Sequence, residues 1–383
     1  MKKKIGLCLA FKGTNYGMHL QSYATQYVVD RLGYETEIID YYSGINKGVR
    51  LSIGALYVAI QKVSAKFFKL LRKEEPLDEL HQENIIERRA ASDTFRKKRL
   101  HNIVKVEGIA ELKHKSHEYA AVLVGSDQIW LPDVAFSNFY TLRFAAPGVK
   151  RISYATSLGV SEYPKYAKRA AADYWRQINC LSVREEQGKE IIQSIVDVPV
   201  EVVVDPTYLL TKEEWEELIP HEKVINNSYV LCYFLGDDDV IKRYAKAFAR
   251  QKKLRLVSIL SNECCSDDTK YADEVIIGKS PEEFVNLIRN ADYVLTDSFH
   301  GLAFSIINEK QFLVFYRKRM DVKESRNSRI DNIVRAWKIE DRLIQKPDTL
   351  QIPATEIDYK CVTAKVSEIR YHSFMFLKNA LKV

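Results

Sequence analysis

Tyr293-Val294-Leu295-Thr296-Asp297-Ser298-Phe299-His300-Gly301 runs from an apolar strand through a polar turn into the start of a helix. Strand, turn and helix in that order is the unit from which parallel sheets are wound. The unit recurs on both sides. Downstream, Leu302–Asn308 reads as the helix and Phe312–Tyr316 as the next strand. Upstream, the strands are Tyr229–Leu235, Arg255–Leu260 and Glu274–Ile277, with helices over Val240–Gln251 and Pro281–Ala291. The N-terminal half repeats the pattern with strand Lys4–Ala10, a helix over Met18–Leu32 stopped by Gly33, and strand Glu35–Tyr41. Further strands are expected at Ala120–Gly125, Arg151–Ser157, Cys180–Val183 and Val200–Val204. Short Val/Ile/Leu-rich strands in two series predict an α/β protein of two doubly wound, Rossmann-like lobes, and 383 residues suffice for two domains. The polar stretch Pro220–Ser228 marks the boundary, giving lobes over 1–220 and 221–360 and a C-terminal helix over 361–383.

Composition narrows the function classes. The chain is 46% hydrophobic and 28% charged, ordinary for a globular enzyme, and no run approaches the ~18 apolar residues of a membrane span. The basic start Met1-Lys2-Lys3-Lys4 leads into a short strand rather than a signal peptide, so a cytoplasmic location is expected. Six scattered cysteines form no CxxC pair, so neither a zinc site nor a disulfide scaffold is expected. The net charge of +7 is local: residues 47–115 carry 16 Lys and Arg against 9 Asp and Glu, a difference equal to the whole excess. The remainder is neutral, so nucleic acid is not an expected partner. Residues 43–115 interrupt the first lobe as a basic helical insertion without a convincing strand. Within 47–73, Lys47, Arg50, Lys62, Lys66, Lys69, Arg72 and Lys73 interleave with apolar residues and no acid. That pattern fits peripheral contact with an anionic membrane face, or a helix packed on its own domain with its cations in water.

In open α/β sheets the chemistry sits in loops beyond the C-terminal strand ends. Five loops carry candidates. Gly13-Thr14-Asn15-Tyr16-Gly17, continuing to His19 and Gln21, opens a helix whose N-terminus offers unpaired N–H groups to an anion or a hydroxyl; it is neither a dinucleotide fingerprint nor a phosphate loop. The alternative is a tight strand-to-helix turn. Gly125-Ser126-Asp127-Gln128-Ile129-Trp130 brings a possible base, hydrogen-bonding groups for sugar hydroxyls and an indole for stacking, or simply a helix cap. Arg184, at the end of a strand, suits capture of a carboxylate or phosphate, or an ion pair with Glu185 or Glu186. His300 suits proton transfer and phosphate contact, with Gly301 allowing a close approach to a ligand. Arg317-Lys318-Arg319 with Arg326-Asn327-Ser328-Arg329 gathers five cations, as an anion site or a surface charge run. No metal-ligand cluster is visible.

Taken in order, Gly13–Gly17 with Leu20-Gln21, Gly125–Trp130, Ser182-Val183-Arg184-Glu185, Asp205-Pro206-Thr207, Thr296–Gly301 and Asn327-Ser328-Arg329-Ile330 resemble the polysaccharide pyruvyl transferase family over nearly the whole chain. The resemblance implies a cleft between two lobes like those of GT-B glycosyltransferases. It implies phosphoenolpyruvate as the donor, a saccharide acceptor that is often lipid-linked, a cyclic pyruvate ketal as the product, and no cofactor or metal. It implies donor contacts by Arg184 and His300, while the residues themselves offer His300 as the catalytic acid and Asp127 as the base. Donor contacts would come from Arg184, Ser298, His300, Gly301, Arg317, Arg319, Asn327, Ser328 and Arg329, and acceptor contacts from Asn15, Tyr16, His19, Gln21, Gln128 and Trp130. Many members carry Arg-Leu before the His, where this chain has Ser298-Phe299. Two other classes remain open: a glycosyltransferase of the same fold using a nucleotide-sugar donor, and a non-catalytic carbohydrate-binding relative.

Overall fold

The computed structural model describes residues 2–43, 78–262, 268–317 and 328–382. In chain order the first lobe contains β1 (Lys4–Cys8), α1 (Tyr16–Arg31), β2 (Glu35–Tyr42), α2 (Glu79–Arg99), β3 (Ile103–Glu107), α3 (Gly108–Ser116), β4 (Ala121–Val124), β5 (Lys150–Thr156), α4 (Lys165–Trp175), β6 (Cys180–Val183), α5 (Glu186–Gln193), β7 (Glu201–Val202) and α6 (Lys212–Leu218). The second contains β8 (Tyr229–Tyr233), α7 (Asp239–Lys252), β9 (Arg255–Ile259), β10 (Glu274–Ile276), α8 (Pro281–Asn290), β11 (Tyr293–Thr296), α9 (Phe299–Ile307), β12 (Gln311–Phe315), α10 (Ser328–Ala336) and β13 (Leu343–Ile344), and α11 (Tyr359–Ala380) follows.

Both sheets are parallel, with strand orders β3-β2-β1-β4-β5-β6-β7 and β10-β9-β8-β11-β12-β13. The order reverses between β1 and β4 and again between β8 and β11. A crevice opens at each such reversal, so the loops after these four strands line the natural ligand position. The central strands earn their place by burial: every residue of β4 and of β8 is buried, as expected where helices cover both faces. Local signals agree with this. Ser280 and Glu283 close a capping box around Pro281 at the start of α8, and Asn15 caps α1 by accepting from the Met18 N–H at 3.2 Å.

Two expectations are corrected. The segment 43–115 is not strandless: Ile103–Glu107 pairs in parallel with β2 at the edge of the first sheet. Its Lys105 and Glu107 keep that edge polar, which disguised it. The C-terminal helix begins at Tyr359 and packs back on the first lobe, where Ser373 Oγ accepts from the Val204 N–H at 3.0 Å and Arg370 Nε donates to the Tyr208 carbonyl at 2.6 Å. The basic run 47–73 and the Cys264-Cys265 pair lie outside the described residues. Among those described, no helix is long and apolar enough to cross a membrane.

Candidate active site between the lobes

Four strand ends deliver one cluster. β6 leads directly into Arg184, the chain after β7 reaches Asp205, β4 runs into Ser126 and Asp127, and β11 leads to His300. The centre is Asp205, 1% exposed. Its Oδ1 accepts from the Thr207 N–H at 3.0 Å and the Thr207 hydroxyl at 2.8 Å. Its Oδ2 accepts from Ser126 Oγ at 2.9 Å and Arg184 Nη1 at 2.7 Å. His300 Nε2 stands 3.7 Å from the same oxygen, an ion-pair separation longer than a hydrogen bond. Burial alone would raise the Asp205 carboxyl, but the His300 imidazole and the Arg184 guanidinium outweigh it and hold the group well below the usual carboxylate range.

Arg184 is 3% exposed and ties the lobes together. Its guanidinium lies over the Phe299 ring at 4.3 Å from the centroid, and its carbonyl accepts from Asn332 Nδ2 at 3.4 Å. Nη2 stands 3.8 Å from Asp127 and Nε 3.7 Å from Glu185, so neither makes a hydrogen bond within the protein. His300 Nε2 is likewise buried without a hydrogen-bond partner. Phe299 replaces the Leu of the Arg-Leu-His pattern, and its ring supports the guanidinium delivered by the other lobe.

His300 sits where the first turn of α1 leaves room for it. A β-carbon on Gly17 would fall 1.9 Å from His300 Nδ1, so only glycine admits the ring there. The predicted role of Gly301 changes: a β-carbon at that position would strike Thr296 Oγ1 at 2.4 Å, so this glycine lets α9 close on β11. Ser298 is the N-cap of α9, its Oγ accepting from the Gly301 N–H at 3.3 Å.

The expected acceptor contacts are mostly structural. Trp130 is fully buried, with its indole N–H bonded to the Tyr140 carbonyl at 2.9 Å, so its face is closed to a sugar. Gln21 is fully buried, donating to the Ala10 and Met18 carbonyls and accepting from the Ser126 N–H at 3.2 Å; it braces one loop against another. Tyr16 stacks on Phe284 of the second lobe with centroids 4.6 Å apart, beneath the Arg88 guanidinium. His19 is fully buried with Nε2 2.9 Å from the Gly13 carbonyl, and burial lowers its pKa to about 4. Asn15 is a helix cap. Gln128 is half-buried, its Nε2 held 3.0 Å from where a β-carbon on Gly159 would stand.

Asp127 stays partly exposed, whereas the Arg317 side chain is 8% exposed. The Asp127 side chain is 26% exposed, against 5% for Glu185 and none for Asp205, and its Oδ1 accepts from the Gln128 N–H. Arg317 Nε stands 3.8 Å from Asp297, whose two oxygens accept from the Leu235 and Gly236 N–H groups. Arg319 and Asn327 lie outside the described residues, as do the side chains of Ser328 and Arg329. Sequence reasoning quoted Asp205 within Asp-Pro-Thr but gave it no role. An Asp shortly after a strand and directly before Pro, able to cap a turn, was the signal available. Among the described residues, no group of three or more His, Cys, Asp or Glu is arranged to hold a metal ion.

A model of the polysaccharide pyruvyl transferase family matches residues 15–319 of the chain. The chain belongs to that family. No curated protein sequence matches it. Among solved structures it is similar to the UDP-GlcNAc 2-epimerase of Methanocaldococcus jannaschii at 10% identity, covering 98% of this chain and 100% of that one with a TM-score of 0.51. It is also similar to a Listeria monocytogenes protein assigned as a UDP-N-acetylglucosamine 2-epimerase, at 10% identity, 100% and 91% coverage and a TM-score of 0.50. At that identity the likeness is one of fold: the two-lobed GT-B architecture, here carrying the site of a pyruvyl transferase family member.

Proposed function

We propose that the protein transfers the pyruvyl group of phosphoenolpyruvate to two hydroxyls of one saccharide, forming a cyclic ketal in the assembly of a cell-surface polysaccharide. The observation that carries the reading is the cluster around Asp205, in which Arg184 of one lobe and His300 of the other meet on a single carboxylate oxygen with N–H groups to spare. Family membership supports it.

In this reading Arg184 Nε and Nη2 take the donor carboxylate, and Arg317 meets the phosphate, a role that the sequence also offers to Arg319 and Arg329. His300, oriented by Asp205, gives a proton to the methylene carbon, and the central carbon acquires oxocarbenium character. One acceptor hydroxyl adds there as its proton passes to Asp127, the most exposed carboxylate of the cluster. The C–O bond to the phosphate then breaks as Asp127 passes its proton to the departing phosphate, the second hydroxyl closes the ring, and its proton restores His300. Phosphoenolpyruvate carries its own leaving group, so no cofactor enters the scheme. The donor is a cytosolic metabolite and the acceptor a lipid-linked precursor, so the segment 47–73 would serve to hold the enzyme at the anionic inner face of a membrane.

The test is saccharide-dependent phosphate release from phosphoenolpyruvate, with the ketal identified in the product. His300→Ala is expected to abolish turnover and leave the melting temperature within a few degrees of wild type. An undiminished rate in that variant would remove His300 from the chemistry, and transfer from a nucleotide sugar instead would replace the reading itself.

A further inference from the structure

A cavity of about 880 Å³ reaches the Asp205 cluster, with Arg184, Asp205 and Phe299 in its wall. The cluster itself shows little positive charge to an incoming anion. Arg184 is 3% exposed, and the Arg317 side chain is 8% exposed and stands 3.8 Å from Asp297. Position 298, where many family members carry an Arg, holds Ser298, which caps α9. A phosphate monoester is close to doubly charged at neutral pH, so a phosphorylated donor calls for a further cation with surface to offer.

The helix α10 supplies one. Asn332 Nδ2 donates to the Arg184 carbonyl at 3.4 Å, which lays this helix against the end of β6. Arg335 follows Asn332 by three residues, so the two share a face of the helix with β-carbons roughly 5–6 Å apart. Arg335 lines the same cavity as Arg184 and Asp205, and it is exposed. Among the described residues its guanidinium makes no hydrogen bond or ion pair. The rest of the wall is acidic: Glu186, Glu190, Asp331 and Glu368 repel a phosphate, and His372 stands 3.8 Å from Glu201. An anion that enters this cavity therefore has one favourable place, beside the two guanidiniums.

We propose that Arg335 is a donor-binding residue that takes the phosphate of the donor. The inference rests on the pyruvyl-transfer reading for the identity of the donor, and on the cavity for the residue. The two guanidiniums differ in depth, and that difference sorts the donor's two anions. The planar carboxylate suits the buried fork of Arg184, whereas the phosphate dianion loses less hydration beside the exposed Arg335. Arg335 thus stands in for the cation absent at position 298, delivered from a different helix.

Because Arg335 is exposed, Arg335→Gln and Arg335→Lys should melt as wild type does. The measurement is calorimetric titration of the full chain with phosphoenolpyruvate, repeated with inorganic phosphate as competitor. Arg335→Gln is expected to weaken phosphoenolpyruvate about tenfold or more and to blunt the competition by phosphate, and Arg335→Lys, which keeps the charge, to recover part of the affinity. Arg335→Ala gives the same comparison if Arg335→Gln folds poorly. Equal phosphoenolpyruvate affinity in wild type and the neutral variant overturns the role of Arg335 and leaves the donor in place; the guanidinium then only complements the last turn of α10. A wild type that binds neither phosphoenolpyruvate nor inorganic phosphate at saturating concentration overturns the donor, and this role with it.

Discussion

Gly17 makes the site possible by being small. Alanine within the first turn of a helix ordinarily stabilises by about 0.5–1 kcal/mol, but here its β-carbon would enter the His300 ring, which must swing away from Asp205. Because misplacement of about 1 Å can cost roughly 100-fold in rate, Gly17→Ala should lose at least that much turnover with little loss of stability. Matched rate and melting measurements check this; a variant of wild-type rate would show that the ring position is immaterial. His19 makes a second residue-scale case. Burial, reinforced by the Arg96 charge and opposed by the bond to the Gly13 carbonyl, holds the ring neutral with a pKa of about 4 against an ordinary 6.5. The unfolded chain binds its proton first on acidification, so this stability is complete above pH 6.5 and is lost as the pH falls towards 4. The difference corresponds to about 3 kcal/mol. Urea midpoints of wild type should therefore fall between pH 7.5 and 5, with a shallower decline in His19→Gln; parallel declines would assign the slope elsewhere. At this scale the sequence was half legible. Arg184 and His300 were candidates by position, each in the turn that follows a strand, although Arg184 also makes the buried ion pair that the sequence offered as its alternative role. Tyr16, Gln21 and Trp130 misled because polar and aromatic tips serve equally well for packing and for binding, and only burial tells the two apart.

The elements show why α2 was harder to foresee than any sheet strand between helices. Its periodicity is blurred by charge, because its buried face includes His81, Asn84 and Arg88, each polar. That face spans the lobes. Asn84 Nδ2 donates to the Asn262 side chain at 2.6 Å and Oδ1 accepts from the Gly278 N–H at 3.0 Å, while Arg99 pairs with Glu282. Arg88, 1% exposed, donates to the Leu260 carbonyl and lies over the Tyr16 ring at 4.5 Å. Arg88→Met keeps most of the side-chain volume and removes the cation and its bond. Asn84 also reaches the Leu260 carbonyl, at 3.3 Å, so that acceptor is not orphaned. The expected loss is about 1–3 kcal/mol, mainly from the cation–π contact and the charged hydrogen bond. Chemical denaturation measures it, and an unchanged midpoint would make α2 a passenger on the second lobe. The apolar parallel strands needed no such context, since a run like Val122-Leu123-Val124 has nowhere to go but inside.

At the scale of the molecule, two lobes with separate sheets share one core. The largest apolar cluster includes Ile5, Leu20 and Val28 of the first lobe with Leu231, Phe284 and Val314 of the second, and Val362 and Leu377 of α11. The C-terminal helix crosses back on one flank and α2 crosses forward on another, so the lobes are clamped twice. Tyr16 lies at the junction, stacked on Phe284 at 4.6 Å and tilted on Tyr233 at 5.8 Å, its ring fully buried. Its position in the sequence, beside two glycines at a helix start, resembled a ligand contact, because nothing local to residues 13–17 records a neighbour from some 270 residues downstream. A shared core predicts one cooperative unfolding transition for wild type, unlike lobes joined only by a linker. Tyr16→Ala removes the ring on which the junction packs and leaves a cavity between the lobes, so a loss of about 3–5 kcal/mol is expected. The loss falls on the coupling between the lobes more than on either sheet. Calorimetry should therefore show the single wild-type transition broadening or splitting in the variant, with the two components assigned by proteolysis of each lobe. A variant that unfolds in one sharp transition at the wild-type temperature would mean that the lobes are held by α2 and α11 alone.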